Sequence, residues 1–177
     1  MCGTGAAGGI GYSVPAQARI NTAAYIALGS NLGDRRAMIA RAIRRVDQHA
    51  GIAVERVSSI IETEPVGPPG QGPYMNAAVR VRTGLDPRGL LEALLAIEIE
   101  LGRDRSADSV RWGARVIDLD LLVFGQLVID EPGLRVPHPR LHERVFVLIP
   151  LAEIAPGLRV PPEHRTPHAM LAALRGA

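Results

Sequence analysis

The chain has 177 residues, 47% of them hydrophobic and 21% charged, with 20 basic residues against 18 acidic ones and a formal net charge of +2. That length supports one domain with its own core, and that balance excludes an intrinsically disordered or collagen-like chain. All 20 basic residues are Arg, which excludes Schiff-base catalysis and a Walker A phosphate loop, since both need Lys. Phosphate recognition in this chain must use Arg, backbone N–H groups or a metal.

Residues 1–21 are Gly-rich and carry no helical or strand periodicity, so the chain is expected to open on a flexible leader and to continue as a single domain over 22–177. Residues 3–8 match G-x-G-x-x-G, but no strand precedes them and no helix pattern follows, which removes the physical context of a dinucleotide site. Residues 1–18 contain no Arg or Lys to form the basic start of a secretory signal. No apolar run reaches the 18 or so residues of a membrane span. Cys2 is the only cysteine and cannot form an intramolecular disulfide, so a reducing cytoplasm is the expected compartment.

The first strand is read at 23–28, closed by Gly29-Ser30-Asn31-Leu32-Gly33. Asp34 then caps a helix whose apolar positions are Met38, Ala42, Ile43 and Val46, with Arg35, Arg36, Arg41, Arg44 and Arg45 largely on the other face and an end near Gly51. A second strand is read over 52–61 and a Pro/Gly-rich loop to residue 73. The third strand, 74–83, alternates: Asn76, Ala78 and Arg80 face one way, and Ala77, Val79 and Val81 the other. Asp86-Pro87 starts a second helix with Leu90, Leu91, Leu94, Ile97 and Leu101 on one stripe, and Gly102 stands where a helix-ending glycine belongs. A polar loop over 103–115 leads to a fourth strand at 116–124.

The order β-α-β-β-α-β predicts an α+β fold with a ferredoxin-like core, a mostly antiparallel sheet with two helices on one face. A C-terminal extension follows, with a Gly125-Gln126 turn, a Pro137-His138-Pro139 loop and an apolar helix or strand at 145–154.

Asp118 and Asp120 interrupt the apolar fourth strand, and Asp is depleted in strands. Residues i and i+2 share a face, about 6 to 7 Å apart, so the two carboxylates repel unless cations compensate them. Nearby arginines at a sheet end would do so, and so would a divalent metal, where two ions about 3.5 to 4 Å apart can be bridged by such a pair. Mg²⁺ suits hard oxygen ligands and brings substrate phosphates with it. Arg103, Arg105, Arg111 and Arg115 gather just before this strand. Guanidinium forks match phosphate oxygens bidentately and stay charged, so carboxylates and arginines together point to a metal-bound polyphosphate. Tyr74 and Asn76 open the third strand beside the Gly/Pro loop and offer a ring and an amide. Trp112 lies in a polar loop, and His138 is held stiffly between two prolines. His138, His142 and Glu143 lack the H-E-x-x-H order of a zinc protease.

Residues 111–122, Arg-Trp-Gly-Ala-Arg-Val-Ile-Asp-Leu-Asp-Leu-Leu, resemble the signature of the 6-hydroxymethyl-7,8-dihydropterin pyrophosphokinase family. Supporting stretches are 24–33, 63–67, 74–79, Gly102-Arg103 and 136–139, in the family's order, so the resemblance spans about residues 23 to 160. It implies transfer of pyrophosphate from ATP to the pterin's hydroxymethyl oxygen, releasing AMP, in folate biosynthesis. Asp118 and Asp120 are implied as ligands of two Mg²⁺ ions. Arg103 and Arg115 are implied in catalysis, and Glu98, Arg105, Arg111, Trp112 and His138 beside the nucleotide. Thr63, Val66, Tyr74, Asn76 and Phe146 are implied around the pterin. The implied partners are these two small molecules, with no nucleic acid and no membrane, and the implied state is a monomer.

Three positions depart from the family pattern: Ala114 replaces the usual Pro before the second loop Arg, Ile61 replaces an aromatic, and Leu95 replaces a polar residue found near ATP in some members. Two other classes fit parts of the chain. A two-metal nuclease or nucleotidyltransferase also uses an Asp-x-Asp strand. A βαββαβ chain can be an RNA-binding module, although the first and third strands here lack a pair of stacking aromatics.

Overall fold

The computed structural model describes residues 22–65, 69–104 and 113–176. The expected leader lies outside these residues, as do Val66, Arg105, Arg111 and Trp112. The first strand, β1 (Thr22–Ser30), is buried on both faces from Ala24 to Leu28 because it runs through the middle of the sheet. Gly29 and Ser30, expected to begin the turn, instead continue the ladder opposite Asn76 and Met75. Helix α1 (Arg35–Gln48) follows, with the Asp34 carboxylate accepting from the Ala37 N–H at 3.0 Å. Its buried stripe is Ile39, Ala42 and Val46. Ile39 was not in the expected stripe; Met38 and Ile43, which were, flank the core partly buried.

The expected second strand divides into β2 (Ile52–Val57) and β3 (Ile61–Thr63). The division falls at Ser58, whose N–H donates to the Ala78 carbonyl at 3.0 Å while its Oγ accepts from the Ala78 N–H at 2.9 Å. A hydroxyl thus replaces a ladder carbonyl, and the chain steps out for two residues before rejoining. Both pieces pair antiparallel with β4 (Tyr74–Thr83), which has the expected bounds and the expected alternation of faces. Helix α2 (Pro87–Glu100) begins as read, with Asp86 accepting from the Gly89 N–H at 2.7 Å. Gly102 ends it at φ 94°, a left-handed conformation that favours glycine.

The last strand of the sheet, β5 (Asp118–Phe124), starts two residues later than expected. Its ladder with β1 stops at Gly29↔Asp118, and beyond that point Asn31 holds Arg115 with backbone and side chain together: its N–H donates to the Arg115 carbonyl at 3.1 Å and its Oδ1 accepts from the Arg115 N–H at 2.7 Å. The strand order is β2-β4-β1-β5 with every neighbour antiparallel. Helices α1 and α2 cover one face, packing on Ile26, Leu28, Ala77, Val79, Leu119 and Leu121. The other face, with Tyr25, Ala27, Ala78 and Val123, is covered by α3 (Val145–Ile154) and α4 (Pro167–Arg175). The segment left open between helix and strand is therefore the helix α3. A small hairpin of β6 (Ile129–Glu131) and β7 (Leu134–Val136) lies between β5 and α3 in the chain.

Candidate active site

Sheet register aligns the site. Gly29 of β1 stands between Asn76 of β4 and Asp118 of β5, and Ala27 stands between Ala78 and Asp120. These six residues share the face covered by α3, and the small central residues leave room above them. A Cβ added at Gly29 would come within 3.3 Å of Asn76 Oδ1, so the floor of this space has no slack for a side chain. Asp118 and Asp120 project at the sheet's edge, since among the described residues β5 has a sheet partner only on its β1 side.

Both carboxylates are compensated by arginines. Asp118 Oδ2 accepts from Arg115 Nη1 at 2.7 Å, and its Oδ1 accepts from Arg103 Nη1. Asp120 Oδ2 accepts from Arg144 Nη1 at 2.9 Å and lies 3.9 Å from His138 Nε2. Beneath Arg103 lies Glu98, fully buried, whose Oε1 accepts from both Arg103 Nη1 and the Leu119 N–H, the latter at 2.6 Å. Leu119 belongs to the edge strand, so a buried carboxylate satisfies a ladder donor that no neighbouring strand reaches. Burial opposes the charge on Arg103, but Asp118 and Glu98 together outweigh it and hold the guanidinium above its ordinary value.

His138 is placed by backbone bonds: its N–H donates to the Leu122 carbonyl at 2.8 Å, and its Nδ1 accepts from the Arg140 N–H at 3.1 Å. Burial lowers its pKa, against the pull of Asp120. In the neutral ring Nδ1 is the acceptor, so Nε2 carries the proton and faces the carboxylates as a donor. On the other side, Asn76 Nδ2 donates to Thr63 Oγ1 at 2.7 Å. The Tyr74 hydroxyl donates between Gln71 Oε1 at 3.2 Å and the Gly113 carbonyl at 3.3 Å. Burial raises the Tyr74 pKa and Arg115 opposes it, which leaves a neutral phenol.

Two cavities meet here. The larger, about 680 Å³, lies outside the β5 edge. Glu98, Arg103, Arg115 and His138 are among its polar lining, with Asp130, Glu131 and Arg135 of the β6–β7 hairpin, and Leu91, Leu95 and Leu134 contribute apolar wall. The smaller, about 310 Å³, lies between the sheet and α3, with Thr63, Tyr74, Asn76 and Phe146 around it. Arg115, Asp118 and Asp120 line both and so form the partition.

The structure therefore brings together Glu98, Arg103 and His138 on one side of the partition, Thr63, Tyr74, Asn76 and Phe146 on the other, and Arg115, Asp118 and Asp120 in the partition itself. Arg144 was missed by sequence reasoning. It sits immediately before α3, pairs with Asp120 and lies 5.9 Å from the Phe146 ring centre. Its only sequence signal is a position two residues before Phe146. Asn31 was also missed: it bonds Gln71 of one loop and Arg115 of the other, a role that depends on tertiary pairing 40 and 84 residues away.

Residues 25–156 match the sequence model of the family described as 7,8-dihydro-6-hydroxymethylpterin-pyrophosphokinase (HPPK). The chain belongs to the HPPK family. Among its relatives, the 2-amino-4-hydroxy-6-hydroxymethyldihydropteridine pyrophosphokinase of Bacillus subtilis (strain 168) is 52% identical over 135 residues, which is 76% of this chain and 79% of that protein. The protein of the same name from Pseudomonas aeruginosa is 41% identical over 148 residues, 84% of this chain and 90% of that one. A solved HPPK-DHPS structure in complex with substrates superposes with a TM-score of 0.60 at 14% identity. It shows likeness of fold, and the superposition covers 88% of this chain but 43% of the longer solved chain.

Among the described residues, no group of three or more His, Cys, Asp or Glu side chains forms a protein-only metal cage. What the HPPK chain offers is two partly exposed carboxylates, 24% and 31% accessible, on the partition between two cavities. That donor set fits a hard cation that takes one or two protein carboxylates and completes its shell with water and substrate phosphate, as Mg²⁺ does.

Proposed function

We infer that the protein transfers the pyrophosphoryl group of ATP to the hydroxymethyl oxygen of 6-hydroxymethyl-7,8-dihydropterin, giving AMP and the pterin diphosphate, a step of folate biosynthesis. The observation that carries this reading is the partition. Two cavities of unequal size share a wall that bears the Asp118–Asp120 pair and Arg115. The larger cavity holds the nucleotide, with its base toward Leu91 and Leu95 and its phosphates toward Arg103, Arg115 and His138. The smaller holds the pterin ring beside Phe146 and Tyr74, with Asn76 and Thr63 reading its polar edge.

The reaction is a displacement at the β-phosphorus. The pterin hydroxymethyl oxygen forms a new O–P bond, the bond from the β-phosphorus to the oxygen it shares with the α-phosphate breaks, and AMP leaves with those electrons. Such transfers need in-line positioning and neutralisation of charge more than covalent work from the protein. Asp118 and Asp120 are the residues that would hold two Mg²⁺ ions, which when bound neutralise phosphate charge and draw electrons from the reacting phosphorus. Arg103 and Arg115, released in part from their carboxylate partners, then turn toward phosphate oxygens. His138, protonated on Nε2, donates to phosphate and does not act as a base. The hydroxyl proton leaves toward the aspartates, the carboxylates on the partition. Arg105, Arg111 and Trp112 complete the nucleotide side and Val66 the pterin side.

We further assign the core to the ferredoxin-like class with a C-terminal extension. Support comes from the antiparallel order β2-β4-β1-β5 with both crossover helices on one face, and from the helices α3 and α4 that follow. The protein acts as a monomer, and its place is the cytoplasm, where ATP is at hand and a lone Cys2 stays reduced. No helix among the described residues is long and apolar enough to cross a membrane.

The test is direct: incubate the protein with ATP, Mg²⁺ and the reduced hydroxymethylpterin and follow the nucleotide. Pterin-dependent AMP is expected. ADP as the nucleotide product, or no turnover by folded protein, overturns the reading.

A further inference from the structure

The pterin-side cavity has two walls from different parts of the chain, and a pair of contacts at the far end of α3 ties them together. One wall is β3, whose Thr63 holds Asn76 at 2.7 Å. The other is the first turn of α3, with Val145, Phe146 and Val147. Seven residues beyond Phe146, about 10 Å along the helix axis, Glu153 reaches the link between β2 and β3. Its Oε1 accepts from the Ser59 N–H at 2.9 Å and from Ser59 Oγ at 3.0 Å, and its Oε2 lies 3.1 Å from the same N–H. Three residues earlier, Arg56 Nη1 donates to the Ile154 carbonyl at 3.3 Å, at the end of the same helix.

We propose that Glu153 is a positioning residue for the pterin pocket: by holding Ser59 it fixes β3, and with it Thr63, at a set distance from Phe146. Three observations carry this. First, the link at 58–60 is where the strand leaves the regular ladder: Ser58 bonds Ala78 on one side, Ile60 packs on the core, and on the outer side Ser59 is held by Glu153. Second, β3 is only three residues long and pairs with β4 alone, over the pairs Ile61↔Asn76, Glu62↔Met75 and Thr63↔Tyr74. A strand that short has little rigidity of its own. Third, α3 is tied at its opposite end as well, where Arg144 meets Asp120. A helix held at both ends transmits the position of Ser59 to Phe146 as a lever of fixed length.

Glu153 is exposed and touches neither cavity, so its effect on catalysis runs only through pocket geometry. An exposed carboxylate holding one N–H and one O–H adds about one charge-assisted hydrogen bond to the balance between docked and released link. If release makes the pocket incompetent, the apparent pterin affinity falls by the fraction of protein left docked. A three- to tenfold loss is expected.

The inference rests on the pterin-side assignment above, and the experiment separates the two. Wild type, Glu153→Ala and Glu153→Gln are compared for pterin dissociation constant by equilibrium fluorescence, ATP dissociation constant, kcat at saturating pterin, and melting temperature. Glu153→Ala is expected to weaken pterin binding three- to tenfold while ATP binding and kcat stay within twofold and the melting temperature within a few degrees. Glu153→Gln, which keeps one acceptor for the Ser59 N–H, recovers most of the loss. Unchanged pterin affinity in Glu153→Ala, with the wild type active, overturns the proposal and leaves the assigned reaction intact. Parallel losses of pterin binding, ATP binding and stability, not recovered by Gln, also overturn it, because they describe a residue that only supports the fold. Absence of pterin-dependent turnover in the wild type sinks the pocket assignment itself.

Discussion

Replacing Glu98 tests whether the Arg103 guanidinium is organised from below. Glu98 is fully buried and does two jobs with one oxygen: it accepts from the Leu119 N–H at 2.6 Å and from Arg103, whose own side chain is 13% exposed. Glu98→Leu leaves the Leu119 donor orphaned at a sheet edge and Arg103 with Asp118 as its remaining partner in this cluster. Removing one member of a buried ion pair costs about 3 to 5 kcal/mol, and a chain of this size loses about 2 to 4 °C of melting temperature per kcal/mol. The melting temperature should therefore fall by roughly 6 to 20 °C. Glu98→Gln keeps an acceptor for Leu119 and loses only the charge, so about 1.5 to 3 kcal/mol is expected. The assay is thermal unfolding followed by circular dichroism, with the ATP dissociation constant measured on the same samples. In both variants ATP should bind more weakly, because Arg103 is no longer held toward the large cavity. A Glu98→Leu protein within about 1 kcal/mol of the parent, binding ATP normally, would refute the idea that this carboxylate positions Arg103.

Asp118→Ala or Asp120→Ala should lower kcat by at least about 10²-fold, since several kcal/mol of charge stabilisation is lost at about 1.4 kcal/mol per decade. The fold should survive, because each removal also relieves repulsion between the pair; an active double variant would refute the metal assignment. Gly29→Ala places a Cβ 3.3 Å from Asn76 Oδ1 and should weaken pterin binding about three- to tenfold with ATP binding unchanged, as read by fluorescence titration. Tyr74 carries a phenol whose pKa burial raises, so the folded state holds this proton longer than the unfolded chain does. The stability it contributes is complete below the ordinary phenol value of about 10 and is lost as pH rises through the folded value. Tyr74→Phe should flatten that alkaline decline in urea-unfolding free energy, and an unchanged pH profile would show that the hydroxyl is not desolvated.

Much of the fold was legible because local signals agreed with tertiary outcome. Asp34 and Asp86 cap the helices they were expected to cap, Gly102 ends α2, and the alternation in 74–83 places Ala77, Val79 and Val81 on the face covered by α1 and α2. The errors lie where side chains act in place of backbone. Nothing in the pattern Ile-Ala-Val-Glu-Arg-Val-Ser-Ser-Ile-Ile says that the Ser58 hydroxyl will replace a ladder carbonyl and split the strand. Nor does Val116-Ile117 reveal that the strand must wait until Asp118, because the reason is Asn31, far away in the chain. The site shows the same division. Asp118 and Asp120 stand out because two carboxylates in an apolar strand are locally costly, whereas Arg144 is locally unremarkable and acquires its partner only when α3 docks on the sheet.

The absence of Lys acquires a structural meaning at Arg103. That side chain bridges a fully buried carboxylate and a partly exposed one at the edge of a cavity suited to phosphate. Burial works against its charge, and a Lys in such surroundings titrates readily once a neighbour moves or a carboxylate is drawn away to another cation. Arg does not: a guanidinium stays charged at any ordinary pH, and Asp118 and Glu98 hold Arg103 above its ordinary value. Suppose a metal takes Asp118 during turnover. Arg103 then keeps Glu98, stays charged, and has donors to turn toward phosphate, because a guanidinium can hold one partner with one edge while offering another. An ammonium has three donors on one point and no such division of labour. At this position the chemistry selects Arg whatever the composition of the rest of the chain. Arg103→Lys is therefore not a conservative change. It should retain the fold and lower kcat more than it weakens ATP binding, and a Lys variant with wild-type kcat would show that the planar fork is dispensable.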